Sequence, residues 1–250
     1  MVVERRSAIR GAVVWEALQS VLHTRRQSLS SARSLQVVDL GGGTGGMAVR
    51  IAELGHQVVV VDPSPDALAS LERRAAEAEV TVAVRGVLGD AATLLDVVEP
   101  AAADVVVCHG VLEVVDDPGQ ALRAVAGVLL PEGYLSVLAA QRSAAVFARA
   151  VSGHLDDART MLGDPDGRWG RSDPVPRRFT QEELETLLAD AGFGIAEVRG
   201  VRVFTDHISS LVVDSEPGAA EALLALETAV ATHRDFMAMA TQLHLLATRR

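Results

Sequence analysis

Apolar residues follow two alternating periods along much of the chain. Between residues 35 and 139, short valine-rich runs are separated by stretches in which apolar positions recur every three or four residues. The runs predict buried strands and the stretches predict amphipathic helices, so the segment predicts consecutive right-handed βαβ units and an α/β fold. The predicted strands lie at 35–40, 57–61, 80–85, 103–107 and 133–139, with helices at 45–54, 65–78, 91–97 and 118–129.

Helical patterns flank this alternating core. The first 24 residues carry the spacing of an amphipathic helix, and residues after 139 begin with helical period before breaking up in a stretch rich in Gly, Pro and Asp. Thr180 followed by Glu183 is the pattern of a capping box and predicts a helix that stops at Gly192. The remaining predicted elements are a strand at 194–204, a helix at about 217–233 and a closing strand at 243–249.

We predict one domain over residues 1–250, because no internal repeat or low-complexity tract marks a second one. Its predicted parts are an N-terminal cap helix at about 2–24, a cofactor-binding half at about 35–139, a helical and loop insertion at about 140–178, and a C-terminal part at 179–250.

Composition narrows the classes of protein that remain. The chain is 49% hydrophobic and 22% charged, and no apolar run approaches the roughly 20 residues that span a bilayer. With no signal-peptide pattern and one cysteine, Cys108, we expect a cytoplasmic protein without a membrane partner, a disulfide or a bound metal. The net charge of −10 argues against DNA as a partner, although it leaves room for a local basic patch that contacts RNA.

A glycine-rich loop joins the first predicted strand to the first helix. Residues 41–46 read GGGTGG, and the free N–H groups of the following helix point back at this loop, so it suits a polar ligand. The spacing satisfies GxGxxG from Gly41, a dinucleotide pattern, and DxGxGxG from Asp39, a methyltransferase pattern. The candidate cofactor residues here are Asp39, Gly41, Gly42, Gly43 and Gly45.

Two further acids follow the next strands. Asp62 ends the second strand about 20 residues after the loop, where a carboxylate accepts hydrogen bonds from ribose hydroxyls. Asp90 belongs to the segment Leu88-Gly89-Asp90 after the third strand. A lone glycine-rich loop is often only a tight turn, but the order of strand, loop, helix, strand and acid favours a nucleoside-containing cofactor.

With these residues in view, the chain resembles the class I methyltransferases and, in particular, the tRNA wobble carboxymethoxyuridine carboxyl methyltransferases. The similar segments run from about residue 10 to 228 and are RGAVVWEALQSVL, VVDLGGGTGG, ELGHQVVVVD, HGVLEVVDDP, LLPEGYLSVL, GVRVFTDH and EALLALET. The resemblance implies a Rossmann-like fold with a mostly parallel seven-stranded sheet, an antiparallel C-terminal strand and helices on both faces. It also implies S-adenosylmethionine as cofactor and S-adenosylhomocysteine as product.

The resemblance assigns roles to individual positions. It implies Arg10 on the cofactor carboxylate, Asp39 facing the methionine ammonium and His109 beside the methionine portion. It further implies that Gly41 and Gly42 contact the cofactor backbone, that Asp62 contacts the ribose, and that Leu88, Gly89 and Asp90 lie along the adenine. Without the resemblance, Arg10 reads equally well as a solvated helix residue and His109 as a hydrogen-bonded loop residue.

The methyl acceptor is less clearly marked. Where the tRNA enzymes have a Tyr-Asn pair and a lysine-rich run, this chain has Gln141-Arg142 and an insertion containing Arg168, Arg171, Arg177 and Arg178, interleaved with aspartates. These arginines read either as phosphate contacts or as a solvated loop of balanced charge. Candidates for positioning the acceptor are Arg142, Arg202 and His207, of which Arg202 also reads as a partner of Asp206.

We therefore predict O-methylation, with a carboxylate on a modified tRNA wobble uridine as the leading acceptor, because a carboxylate is already ionised and needs no general base. A small metabolite is the alternative acceptor. Two other hypotheses are a cofactor-binding module without catalysis and a nicotinamide oxidoreductase, which the single tyrosine, Tyr134, and the lack of lysine disfavour. The sequence predicts neither the oligomeric state nor a catalytic pair.

Overall fold

A computed structural model describes residues 2–29 and 33–250, with side chains in these ranges except those of 2–10, 210, 214 and 215. Seven strands form one sheet in the order β3-β2-β1-β4-β5-β7-β6. The strands are β1 Gln36–Leu40, β2 Gln57–Asp62, β3 Val84–Leu88, β4 Ala103–His109, β5 Leu129–Ala140, β6 Phe193–Val201 and β7 Gln242–Arg249.

Helices precede, connect and follow these strands. They are α1 Val2–Ser28, α2 Gly46–Glu53, α3 Pro65–Glu77, α4 Leu94–Val97, α5 Pro118–Val128, α6 Arg142–Val151, α7 Leu155–Gly163, α8 Gln181–Asp190, α9 Ser210–Ser215 and α10 Ala219–Val230, with a 3₁₀ helix at Arg234–Met239. No helix in the described ranges is both long enough and apolar enough to cross a membrane.

The predicted fold class is confirmed, since the sheet is mostly parallel with antiparallel C-terminal strands. β1 pairs in parallel with β2 on one side and with β4 on the other. All residues of β1 except Gln36 are buried, and so are the first six residues of β4. Strands covered on both faces need apolar side chains at successive positions, which explains the valine runs at the centre of the sheet.

Local capping fixes where several helices begin. Ser64 accepts a hydrogen bond from the Ala67 N–H, and Asp117 accepts one from the Gln120 N–H, each just before a proline at the first helical position. The capping box is confirmed as well: Thr180 Oγ1 accepts from the Glu183 N–H at 3.2 Å, and Glu183 Oε2 accepts from the Thr180 N–H at 2.8 Å.

The third strand was predicted wrongly at 80–85. It begins at Val84 and ends at Leu88, where Val84 pairs with Val58 of β2. The preceding residues form a turn in which Glu79 has a φ of +58° and Val82 is 94% exposed. The apolar composition of residues 80–83 suggested a strand, but the register with β2 leaves these residues beyond the sheet. The sequence also did not predict α9 or the 3₁₀ helix.

The chain forms two compact units, each built from separate stretches of sequence. The β1–β4 unit comprises Val21–Val137, Glu185–Ala196 and Leu245–Arg250, and the insertion unit comprises Met1–Ser20, Leu138–Leu184 and Glu197–His244. The division of one domain into cap helix, cofactor half, insertion and C-terminal part stays a prediction.

Candidate active site

The glycine loop of the β1–β4 unit is a tight backbone cradle. Gly41, Gly43 and Gly45 have φ values of +69°, +55° and +77°, a region that L residues with side chains rarely adopt. A Cβ on Gly45 would lie 2.0 Å from Leu71 Cδ1, and one on Gly41 would lie 2.6 Å from Val111 Cγ2. The glycines are therefore needed both for backbone conformation and for space.

Gly42 brings the loop onto the carboxylate at the end of β1. A Cβ on Gly42 would lie 2.5 Å from Asp39 Oδ2 and 2.9 Å from Val60 Cγ1. Unlike its neighbours, Gly42 has no positive φ, so close approach alone requires glycine at this position.

Asp39 is a buried carboxylate with one oxygen that lacks a hydrogen-bond partner among the described residues. It is 3% exposed, and its Oδ2 has no hydrogen-bond partner among the described residues. Burial, and secondarily the charge of Asp62, raises the pKa of Asp39 to about 7. A carboxylate in this state gains strongly from a cation, so the position fits an ammonium group of a ligand.

Asp62 shapes the loop from the neighbouring strand. Its Oδ2 accepts a hydrogen bond from the Gly43 N–H at 2.8 Å, and its Oδ1 accepts one from the Ser64 N–H at 2.9 Å. The sequence assigned Asp62 to the cofactor ribose, and the structure shows in addition that it anchors the glycine loop.

A cavity of about 480 Å³ opens at this edge of the β1–β4 unit. It brings together three of the predicted cofactor residues, Gly41, Asp62 and Asp90. The rest of its wall comes largely from the segment after β4, to which the sequence assigned no binding role beyond His109. The additional lining residues are Leu40, Pro63, Ala91, Ala92, Gly110, Val111, Val114, Val115, Asp116, Asp117, Gln120 and Ala121. The available signal was the position of HGVLEVVDDP at the carboxyl end of a central strand.

Asp90 closes a turn beside the cavity. Its Oδ1 accepts hydrogen bonds from the N–H groups of Ala92 and Thr93 and from the Thr93 hydroxyl, and bonds from Thr93 hold its pKa below the ordinary value. Leu88 and Gly89 are not among the residues that line the cavity, and Leu88 is 58% exposed. Contact of these three residues with adenine stays a prediction.

His109 ends β4 as a neutral side chain. Its Nε2 lies 2.8 Å from the Ser136 hydroxyl, and burial lowers its pKa to about 4. Burial also raises the pKa of the neighbouring Cys108 thiol to about 12, so this cysteine is an unreactive packing residue at neutral pH.

The arginine-rich loop of the insertion unit is held by its own ion pairs. Arg178 makes two hydrogen bonds to the buried Asp173, at 2.8 and 2.9 Å, and Arg177 pairs with Asp166 at 3.0 Å. Arg168 donates to the carbonyl of Gly170 at 3.3 Å. These contacts weigh against the interpretation of these side chains as phosphate ligands and favour a self-neutralised loop.

The three candidates for acceptor positioning have different surroundings within the same unit. Arg142 donates to the carbonyls of Pro165 and Arg178 and pairs with Glu183, so it supports the loop. His207 is exposed and meets Phe147 edge to face, with ring centroids 5.8 Å apart.

Arg202 pairs with Asp206, as the sequence also allowed, and lies beside the end of β6.

Arg10 falls outside the side chains that the structure describes. In the same described part of the chain, no group of three or more His, Cys, Asp or Glu residues could hold a metal ion. The roles of all these positions in binding stay predictions.

Comparison with known proteins identifies the family to which this chain is related. A family model described as a methyltransferase domain matches residues 38–137. The tRNA 5-carboxymethoxyuridine methyltransferase of Escherichia coli K12 is 29% identical over 96% of this chain and 87% of its own length. A ubiquinone biosynthesis O-methyltransferase of Xanthomonas euvesicatoria is 32% identical over 70% of this chain and 68% of its own length.

Among solved structures, an S-adenosylmethionine-dependent methyltransferase of Mesorhizobium loti has a TM-score of 0.60 at 21% identity, covering 96% of this chain and all of that one. The chain belongs to the S-adenosylmethionine-dependent methyltransferases. S-adenosylmethionine is therefore its cofactor, and the ambiguity of the glycine pattern is resolved in favour of the methyltransferases.

The residues present suit this cofactor. The glycines at 41, 42 and 45 let the loop pack directly against Val111, Asp39 and Leu71, which fixes the backbone at the edge of the cavity. The cavity is large enough for a nucleoside. Asp39 is not among the residues that line it, but its buried Oδ2 has no hydrogen-bond partner among the described residues and is suited to an ammonium group. Bound there, the cofactor would supply the methyl carbon of a sulfonium for attack by a nucleophile of the acceptor, with S-adenosylhomocysteine as the leaving group.

Proposed function

We propose that this enzyme methylates a carboxylate oxygen, and that its acceptor is the 5-carboxymethoxyuridine of a tRNA wobble position. The observation that carries the proposal is the extent of the similarity: the tRNA methyltransferase of E. coli matches 96% of this chain, whereas the ubiquinone methyltransferase matches 70%.

The protonation states favour an acceptor that is already ionised. With a pKa of about 4, His109 is a weak base. It is poorly matched to the removal of a proton from a phenol, whose pKa is about 10. A carboxylate needs no such base at neutral pH. In this proposal Arg202 orients the acceptor carboxylate, since a guanidinium binds it with fixed geometry.

A small-molecule acceptor is the second candidate, and the arginine-rich loop favours it. The charges of Arg177 and Arg178 are matched by Asp166 and Asp173, and the chain has a net charge of −10, so electrostatic attraction of tRNA rests on few groups. We place the protein in the cytoplasm under either proposal.

Methylation of tRNA isolated from cells that lack the wobble methyltransferase tests the proposal. Labelled methyl groups from S-adenosylmethionine should enter this tRNA and be released by mild alkali, because a methyl ester hydrolyses where an ether or an N-methyl group does not. Fully modified wild-type tRNA is the matched control and should accept no label. Labelling of phenolic metabolites with none in tRNA would reverse the order of the two candidates.

A further inference from the structure

Glu227 is a buried acid that gathers four hydrogen bonds from one short segment. It lies on α10 and is 1% exposed. Its Oε2 accepts from the Val203 N–H at 2.9 Å, and its Oε1 accepts from the N–H groups of Phe204 and Thr205 at 2.9 and 2.7 Å. The Thr205 hydroxyl adds a fourth bond at 2.6 Å. Oε1 thus accepts three of the four bonds and Oε2 accepts one, so the carboxylate is fully occupied by this segment.

The segment held in this way lies directly between Arg202 and Asp206. Arg202 has a φ of +61°, an uncommon conformation for a residue other than glycine, so the chain needs outside contacts to hold it. The Asp206 carboxylate accepts from the Arg202 guanidinium and from the Thr241 hydroxyl, the latter at 3.1 Å. Glu227 thus fixes the backbone that joins the two members of this ion pair.

One N–H donor of the Arg202 guanidinium is buried without a hydrogen-bond partner among the described residues. Its Nη2 bonds Asp206 and its Nη1 reaches Gln242 Oε1 at 3.3 Å, while Nε is buried with no hydrogen-bond partner among the described residues. The Gln141 N–H, just after β5, donates to the Thr241 carbonyl at 3.0 Å, which places this ion pair beside the end of β5. Ligands of open α/β sheets bind at the carboxyl ends of strands.

We propose that Glu227 is a positioning residue that sets the orientation of Arg202 and thereby the affinity of the enzyme for its methyl acceptor. The inference rests on the proposed function for the role of Arg202 toward a carboxylate. Glu227 is 1% exposed and bonds only groups of residues 203–205, so its replacement should change acceptor binding through Arg202 and leave cofactor binding intact.

Glu227→Gln is the informative substitution because it keeps the size of the side chain. Its NH₂ group must face at least one N–H donor, so at least one buried bond is lost and one donor is left unpaired. Glu221→Gln on the exposed part of the same helix is the matched control. Thr205→Val removes one of the four bonds and should act in the same direction with a smaller effect, which keeps the test available if Glu227→Gln folds poorly.

Chemical labelling tests the inference without any acceptor. Phenylglyoxal reacts with accessible guanidinium groups, and its reaction at Arg202 can be followed by peptide mass spectrometry. We expect Arg202 to react about fivefold or more faster in Glu227→Gln, as expected for a loss of the order of one buried hydrogen bond, and at the wild-type rate in Glu221→Gln. Equal rates in wild type and in both Glu227→Gln and Thr205→Val would overturn the inference.

Kinetics with the undermethylated tRNA supply the second readout. Glu227→Gln should raise the KM for tRNA about tenfold while the Kd for S-adenosylmethionine stays within about twofold, and its effect should be largely absent in an Arg202→Gln background. Additive effects of the two substitutions would contradict action through Arg202. Suppose that Arg202→Gln leaves the KM for tRNA unchanged, but phenylglyoxal still labels Arg202 faster in Glu227→Gln than in wild type. The proposed acceptor role of Arg202 then fails, and the positioning of Arg202 by Glu227 stands.

Discussion

The glycine loop of the β1–β4 unit and the arginine-rich loop of the insertion unit use charged groups in opposite ways. In the glycine loop, Gly41, Gly43 and Gly45 have positive φ, and the adjacent Asp39 is buried with an oxygen that has no hydrogen-bond partner among the described residues. In the arginine-rich loop of the insertion unit, Arg177 and Arg178 are paired with Asp166 and Asp173. The first arrangement is prepared for a ligand of opposite charge, whereas the second supports the chain. A cluster of arginines is thus weaker evidence for a ligand than one buried carboxylate without a partner.

Removing the buried ion pair should have the largest effect and should be confined to stability. Asp173→Ala leaves the Arg178 guanidinium largely buried and two N–H groups, of Trp169 and Val175, unpaired, so we expect a loss of about 3–5 kcal/mol in calorimetric unfolding. Asp156→Ala, in an exposed pair with Arg159, should change stability by less than about 0.5 kcal/mol.

The pair of Asp173 and Arg178 also makes the stability of the protein depend on pH. Burial alone would raise the pKa of Asp173, but the hydrogen bonds and charge of Arg178 and the backbone N–H groups outweigh it and lower the pKa. The stability that Asp173 contributes is therefore present above the ordinary carboxylate pKa and is lost as the pH falls through its lowered folded value. Retention of the full wild-type stability by Asp173→Ala would remove the contrast between the two units.

A methyl group at Gly42 should abolish much of the cofactor affinity. Its Cβ would lie 2.5 Å from Asp39 Oδ2, and relief of the clash must shift the loop or the carboxylate at a cost of about 2–3 kcal/mol. We expect calorimetric binding of S-adenosylmethionine to weaken about 30- to 150-fold. Gly46→Ala, whose Cβ would meet nothing closer than 3.8 Å, is the control and should bind normally. Unchanged affinity in Gly42→Ala would mean that the cofactor does not use this loop.

Cofactor binding should strengthen as Asp39 ionises. Because its pKa is about 7, the ionised fraction rises about eightfold between pH 6 and pH 7.5, and the affinity for the cationic cofactor should rise by about that factor, with proton release seen in buffers of different ionisation enthalpy. The stability of the cofactor-free protein should change with pH in the opposite direction. Because folding raises the pKa of Asp39, its contribution to stability is present at low pH and is lost as the pH rises through about 7. Asp39→Asn should flatten the dependence of affinity on pH, and a slope that survives in this variant would assign it to another group.

The smallest effect is expected at Arg171, an exposed arginine of the insertion loop. A self-neutralised loop predicts that Arg171→Gln changes the tRNA KM less than about twofold and leaves its salt dependence nearly unchanged. A fall in the salt slope of about one unit would show a phosphate contact and would restore the basic-patch interpretation of this loop.

Structural features that depend on short-range sequence patterns were predicted well. The βαβ alternation, the capping box at Thr180 and Glu183, and the glycine loop each depend on residues a few positions apart, and the helices and strands they predicted are present. The strand at 80–85 was misplaced because only pairing with β2 decides which residues of an apolar stretch join the sheet. Likewise, the cavity wall after β4 depends on the order of strands, which no local pattern specifies.

The sequence by itself determined the class of the fold, the place of the glycine loop and the acids at the ends of β1 and β2, because spacing along the chain encodes backbone conformation directly. Only the tertiary structure decided which charges are available to a ligand. Residues far apart in sequence, such as Glu227 and Thr205 or Arg142 and Pro165, become partners when the chain folds. Whether a buried polar group has a hydrogen-bond partner depends on such contacts, and this separates the Asp39 carboxylate, with one unpartnered oxygen, from the Asp173 carboxylate, which pairs with Arg178.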